Sequence, residues 1–418
     1  MHRFSFKKNE LYCEEAAVAR IAKTVGTPFY LYSMGTFLDH FLKLKEAFKE
    51  INALICYSMK SNSNLTILKK LVSSGAGLDI VSGGELFRAK KVGVNPKKVV
   101  FASVGKSEEE ITDAIQFGVG MFNVESVSEL EMVNRIACKM DKIQDIAIRI
   151  NPGVKAKTHR YITTGTKENK FGMDVGTAFK MFVEAYRFPF LRFSGIHLHI
   201  GSQITEPEPF IKAIQTALEF IKSLRISGAF IDTINIGGGL GIIYQNEKPQ
   251  TADQFAKAIL PLLRDVNLKV IIEPGRFISG NSGILVTKIL HWKEGQNKTF
   301  AVVDAGMNDL MRPSLYDAYH EITPVTQKRT KAQVRHVDIV GPICESGDFL
   351  GKDRTLPKME QGELLAVMSC GAYGFTMSSN YNSRPRAPEI VVKGRRWYVV
   401  KNRETYDDLI QGEKILYV

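Results

Sequence analysis

Cysteine is scarce in this chain: Cys13, Cys56, Cys138, Cys344 and Cys370 are the five among 418 residues, and none forms a CxxC pair. That excludes a disulfide framework and a cysteine-based zinc site, and it suits a reducing compartment. Long apolar runs are missing too, so no stretch reads as a bilayer-spanning helix. The opening MHRFSFKKNELYCEE lacks the apolar core of a secretory signal, and its acidic residues argue against a transit peptide. A cytoplasmic protein is the expectation. There is no basic tail or arginine-rich tract, so 56 basic against 44 acidic side chains, net +12, read as a solvated basic surface. Neither nucleic acid nor membrane is expected as a partner. With 44% apolar and 24% charged residues, the composition is that of a soluble globular chain long enough for two domains.

What is present is alternation. Eight short apolar runs, LICYS (54–58), GLDIVS (77–82), KVVFAS (98–103), MFNVES (121–126), DIAIRIN (145–151), SGIHLHIGS (194–202), TINIGGG (233–239) and KVIIEPG (269–275), are separated by stretches of helical period. Strand–helix alternation implies parallel strands with helices outside, and eight strands can close a barrel. A doubly wound open sheet is the alternative. Beyond about residue 280 the helical pattern fades into turn-separated runs such as GILVTKILHW, TFAVVDAG and APEIVVKG, which read as a domain of antiparallel strands. The expected fold is therefore a (β/α)8 TIM barrel over 36–280. A C-terminal β-sandwich or β-barrel-like domain, built from 1–35 and 281–418, is expected beside it.

In such a barrel the active site lies at the carboxyl ends of the strands. Those ends carry Lys60, Asp79 and Ser82, then His197, His199 and Ser202, then Gly237-Gly238-Gly239, and finally Glu273 and Arg276. Glycines after a strand expose backbone N–H groups to a phosphate. A desolvated lysine can condense with an aldehyde, and a buried glutamate needs a cationic partner such as a pyridinium nitrogen. His199 could lie flat on an aromatic ring. Aldehyde, pyridine, phosphate and a stacking face together describe pyridoxal 5′-phosphate. His197 and His199 are expected to point to opposite faces, and no metal is expected.

The stretches YSMKSNSN, DIVSGGEL, HLHIGSQI, GGGLGI and EPGR, followed by DAGMNDLMRPSLYDAYH, GPICESGD and GAYGFTMSSNYNSRP, span residues 57 to 385. In that order they resemble the alanine-racemase-like barrel family of pyridoxal-phosphate enzymes, and within it the diaminopimelate-decarboxylating branch. The resemblance implies roles. Lys60 would carry the cofactor and His199 would stack on its ring. Asp79 would also contact it, and Glu273 would face its pyridine nitrogen. Ser202, Gly237, Gly238, Gly239, Gly275 and Arg276 would cradle the phosphate, with Tyr373 nearby. Cys344 would be the proton donor. Arg276, Arg312, Tyr316, Glu345 and Tyr373 would contact an amino-acid substrate. The resemblance further implies a homodimer in which Cys344 and Glu345 reach the partner's site. Ornithine, arginine and carboxynorspermidine decarboxylases, a racemase and a non-catalytic cofactor-binding protein are the rival readings. The segment 157–174 resembles a family loop.

Overall fold

The eight runs do close on themselves. The computed structural model describes residues 2–154, 170–327 and 334–416. We number the barrel strands β1 (Ala53–Ser58), β2 (Gly77–Ile80), β3 (Val99–Phe101), β4 (Met121–Val124), β5 (Gln144–Arg149), β6 (Leu191–His197), β7 (Thr233–Asn235) and β8 (Lys269–Ile272). Each pairs in parallel with the next, and β8 pairs with β1 to shut the ring. Amphipathic helices connect them; Leu65–Ser73, for instance, buries Ile67, Leu68 and Leu71 at helical spacing. Most strands stop sooner than their apolar runs suggest, because the last residues turn outward and start helices. Ser82 and Ser126 each accept a backbone N–H three residues on, from Glu85 and Glu129, and so cap the helices after β2 and β4.

Side chains two apart on a strand share a face. Inside the barrel this rule separates two layers. Cys56, Val100, Met121, Ala147 and Ile271 pack together as an apolar plug. Two residues further on, Ser58, Asn123, Arg149 and Glu273 follow Cys56, Met121, Ala147 and Ile271. The interior therefore changes from apolar to polar within one residue pair, on the side where the strands end.

The chain divides into two units. The barrel unit comprises Leu38–Ile242 and Glu247–Ile278; the other comprises Met1–Phe37, Ile243–Asn246 and Ser279–Val418. The second unit is built on a sheet whose long strand, Gly283–Glu294, pairs antiparallel with Phe29–Ser33, Thr299–Val303 and Leu364–Val367. The expectation of purely antiparallel strands is corrected here. Thr299–Val303 runs parallel to Val334–Val340, and Phe29–Ser33 runs parallel to Glu389–Lys393. Parallel neighbours need long connections, and both pairs are joined through long stretches of chain. Among the described residues no helix is long and apolar enough to cross a membrane.

Candidate active site

Lys60 lies in the single turn Met59–Ser61 that follows β1, its side chain 42% exposed. Its Nζ is 4.0 Å from Asp79 Oδ2. Asp79, on β2 and 1% exposed, accepts a hydrogen bond from Ser58 Oγ at 2.6 Å, while its Oδ1 is buried without a partner. Burial, and then the charge of Glu273, pushes the Asp79 carboxyl up from its ordinary range. Glu273, just past β8, is treated oppositely. Burial alone would raise it, but His197, the Asn235 amide and Lys60 outweigh that and hold it below the usual carboxylate range. Asn123 and Asn235 donate to its Oε1 at 3.0 and 2.6 Å, and His197 Nε2 lies 3.3 Å from Oε2, out of line for a hydrogen bond. The two buried carboxyls are thus split: Glu273 keeps the charge and Asp79 the proton.

His199 is desolvated and faces Lys60 and Arg149, and these together hold its imidazole well below the normal histidine range. It is neutral, and its Nδ1 accepts the N–H of Gly238 at 3.3 Å. The glycine triplet packs too closely for side chains. A Cβ on Gly237, at φ 67°, would sit 2.3 Å from Leu198 O, and one on Gly238 would sit 2.0 Å from Glu273 O. Gly237 N–H is taken by Asn235 Oδ1. Arg276, 6% exposed, donates to Ser202 Oγ from Nη2 at 3.0 Å. Gly275 lies against Ser58 and Ser61, where a Cβ would come within 3.3 Å of Ser61. The barrel rim thus offers an amine, a neutral flat ring, a fixed anion, glycine backbone, and a hydroxyl held by a guanidinium. That set suits an aldehyde-bearing pyridine with a phosphate arm.

The remaining predicted residues lie in the second unit. Arg312 begins the helical turn Arg312–Tyr316, is 6% exposed, and donates from Nη1 to Tyr244 Oη at 2.7 Å. Its guanidinium also lies 4.9 Å from the Tyr244 ring centroid. Tyr316 is half-buried at the end of that turn. Tyr373 holds φ 57°, a left-handed conformation that costs a bulky residue about 1–3 kcal/mol and commonly marks a functional position. Cys344 and Glu345 are exposed, on a turn tied down from both sides. Asn382 Oδ1 accepts the Cys344 N–H at 2.7 Å, and Glu345 Oε2 accepts from Tyr381 Oη at 3.2 Å. Asp348 braces the same turn by accepting N–H groups of Ile343 and Met307.

Two sequence readings need adjustment. The expected divergence of His197 and His199 does not hold: His197, at the end of β6, is buried against Glu273, and His199, two residues on and half-buried, also faces Glu273 together with Lys60 and Arg149. Ser82 serves as a helix cap. Three participants escaped notice as site residues, Ser58, Asn123 and Asn235, and His197 stood at a strand end without a role. The signal existed, since an asparagine in a fully buried parallel strand is out of place unless something buried needs it. Residues 157–169 of the loop resemblance lie outside the described residues, but its far stem is placed. Gly172 N–H donates to Glu125, which also binds Arg149 at 2.8 Å.

Residues 34–280 match the pyridoxal-binding domain of pyridoxal-dependent decarboxylases. The chain is 47% identical over 407 residues to a diaminopimelate decarboxylase of Aquifex aeolicus, covering 97% of this chain and 96% of that one. A crystal structure of diaminopimelate decarboxylase from Helicobacter pylori complexed with L-lysine superposes with a TM-score of 0.90 at 43% identity, covering 94% and 98% of the two chains. The corresponding M. jannaschii enzyme in co-complex with L-lysine gives 0.93 at 37% identity, over 99% and 98%.

Proposed function

The chain belongs to the pyridoxal-dependent decarboxylase family, and on that footing we propose that it converts meso-2,6-diaminopimelate to L-lysine and carbon dioxide, the last step of lysine biosynthesis. The observation that carries the reaction type is Glu273, buried yet kept ionised at the barrel rim. An anion there keeps a pyridine nitrogen protonated, which favours loss of a carboxylate; a racemase of this fold would weaken that pull with a basic residue instead. Pyridoxal phosphate, when bound, supplies the electron sink for the bond that breaks.

This chain's residues do the rest. Lys60, whose amine stands at the barrel rim, would hold the cofactor through its aldehyde. Gly239, Gly275, Ser202 and Arg276 are assigned to the phosphate, and Tyr373 is assigned to it by the family likeness; the N–H groups of Gly237 and Gly238, expected to face it, are instead taken by Asn235 and His199, so these two glycines shape the turn. Neutral His199 is assigned to the ring face, where it adds no charge to oppose Lys60. The α-carbon that loses its carboxylate must gain one proton, and Cys344 Sγ is assigned that donation, the thiol being refilled from water. Arg312, already oriented by Tyr244, suits the second carboxylate of diaminopimelate through a two-point contact. Glu345 and Tyr316 are assigned to the same distal end. A cationic tail, as in ornithine or arginine, would oppose Arg312. We further propose a cytoplasmic homodimer. The exposed, firmly braced Cys344–Glu345 turn supports this, since such a turn can serve a partner's barrel.

The test is release of carbon dioxide from meso-diaminopimelate, run beside ornithine, arginine and carboxynorspermidine with cofactor-loaded protein. Stoichiometric L-lysine is the expected product. Turnover of another substrate with none of diaminopimelate would overturn the assignment.

A further inference from the structure

The family likeness pointed to Glu273 alone, yet three further side chains converge on it from three other strands. Asn123 on β4, Asn235 on β7 and His197 on β6 are 0, 0 and 1% exposed. Both asparagine amides donate to the same carboxylate oxygen, Oε1, and His197 lies against the other, Oε2. Asn123 is the most telling. Its Oδ1 is buried without a hydrogen-bond partner. A polar atom left unpaired in a core is a cost, so Asn123 is in place for its N–H donor. Asn235 does two jobs, because its own Oδ1 receives Gly237 N–H and so links the carboxylate to the glycine turn.

The geometry points to a clamp: Asn123, Asn235 and His197 are positioning residues that hold Glu273 as a fixed anion aimed into the barrel mouth. This rests on the proposed pairing of Glu273 with the cofactor's ring nitrogen. The clamp answers a specific problem. Two carboxyls, Asp79 and Glu273, share this interior with Lys60, His197, His199 and Cys56, and like charges so placed are not both ionised. Ser58 gives Asp79 one hydroxyl donor, whereas Glu273 receives two amide donors at one oxygen, with the His197 ring 3.3 Å from the other and not hydrogen-bonded to it. Donors to the charged form decide which acid keeps its proton. Without them, charge would be shared between the two, and a ring nitrogen facing Glu273 would hold its proton less firmly.

The test loads the protein with pyridoxal phosphate labelled with 15N in the ring and follows the nitrogen's chemical shift against pH. Three variants are compared with wild type: Glu273→Gln, Asn123→Leu and His197→Phe. Glu273→Gln is expected to lower the deprotonation midpoint most. Asn123→Leu is close in shape and loses no satisfied acceptor; it is expected to lower the midpoint by about one pH unit, a tenfold loss of proton affinity. His197→Phe should lower it as well. A purely structural role would change thermal stability and leave the midpoint in place. If Glu273→Gln moves the midpoint and the other two match wild type, the clamp is overturned while the ring-nitrogen assignment stands. If Glu273→Gln itself leaves it unmoved, that assignment falls and the clamp with it. Should Asn123→Leu not fold, His197→Phe decides by the same criterion.

Discussion

Glu273 and Cys344 sit in opposite circumstances. The glutamate is enclosed by strands, 6% exposed, and each of its oxygens faces a buried group from another strand. The cysteine is exposed, and its turn is held by backbone and amide contacts rather than by enclosure. The barrel residues are thus set up within one chain, as a cofactor site requires if its charges are not to rearrange during reaction. The Cys344 turn has fixed shape and no cover, which fits a group presented to another chain. Preparation by burial and preparation by bracing leave different signatures, and substitution should separate them.

The largest effect is expected at Lys60. Lys60→Ala should abolish the covalent visible-absorbing adduct and all measurable turnover, checked by absorbance after cofactor loading. Cys344→Ala should keep that absorbance but lower kcat by about 10^2–10^4-fold, the range for a lost proton-transfer group. A Cys344→Ala protein with altered absorbance would break the distinction between the two regions. Smaller again is the expected effect of Tyr244→Phe, which removes one hydrogen bond to Arg312 and keeps the ring beneath it. A loss of about 1 kcal/mol is expected to raise KM for diaminopimelate roughly five-fold with kcat little changed.

The subtlest effect concerns pH. Asp79 is raised by burial, so the folded chain holds a proton that the unfolded chain releases above about pH 4. Its contribution is fully present below that pH and is lost as pH rises toward the folded value. Glu273 is depressed, so its contribution is fully present above the ordinary glutamate range and falls away only in acid. Above about pH 5 only the Asp79 term of this pair still changes with pH. The unfolding free energy of the cofactor-free protein, read from urea melts, should therefore fall with rising pH, by up to about 1.4 kcal/mol per unit from this residue. Asp79→Asn should flatten that slope; an unchanged slope would contradict the assignment of the proton.

Much of the barrel could be read in advance because its code is local. Apolar runs alternate with helical periods, and Lys60 stands out as a charge two positions past LICYS. The clamp was readable only in principle. Asn123 and Asn235 are 112 residues apart in a chain whose register had to close before they met at one oxygen. The bond between Ser202 and Arg276, separated by 74 positions, depends on closure in the same way. The parallel pairings of the second unit were hidden for a related reason, since short strands carry no mark of direction. The bracing of Cys344 by Asn382 joins two loops, and loops have no period to read.

The most direct test of the shared-site account is complementation. Lys60→Ala and Cys344→Ala proteins, each inactive alone, are mixed, unfolded and refolded together, and assayed with meso-diaminopimelate. If Cys344 serves the partner's Lys60, half of the randomly formed dimers are mixed and each has one intact site, so activity should return to about a quarter of wild type. Activity no greater than that of the separate variants would contradict the account.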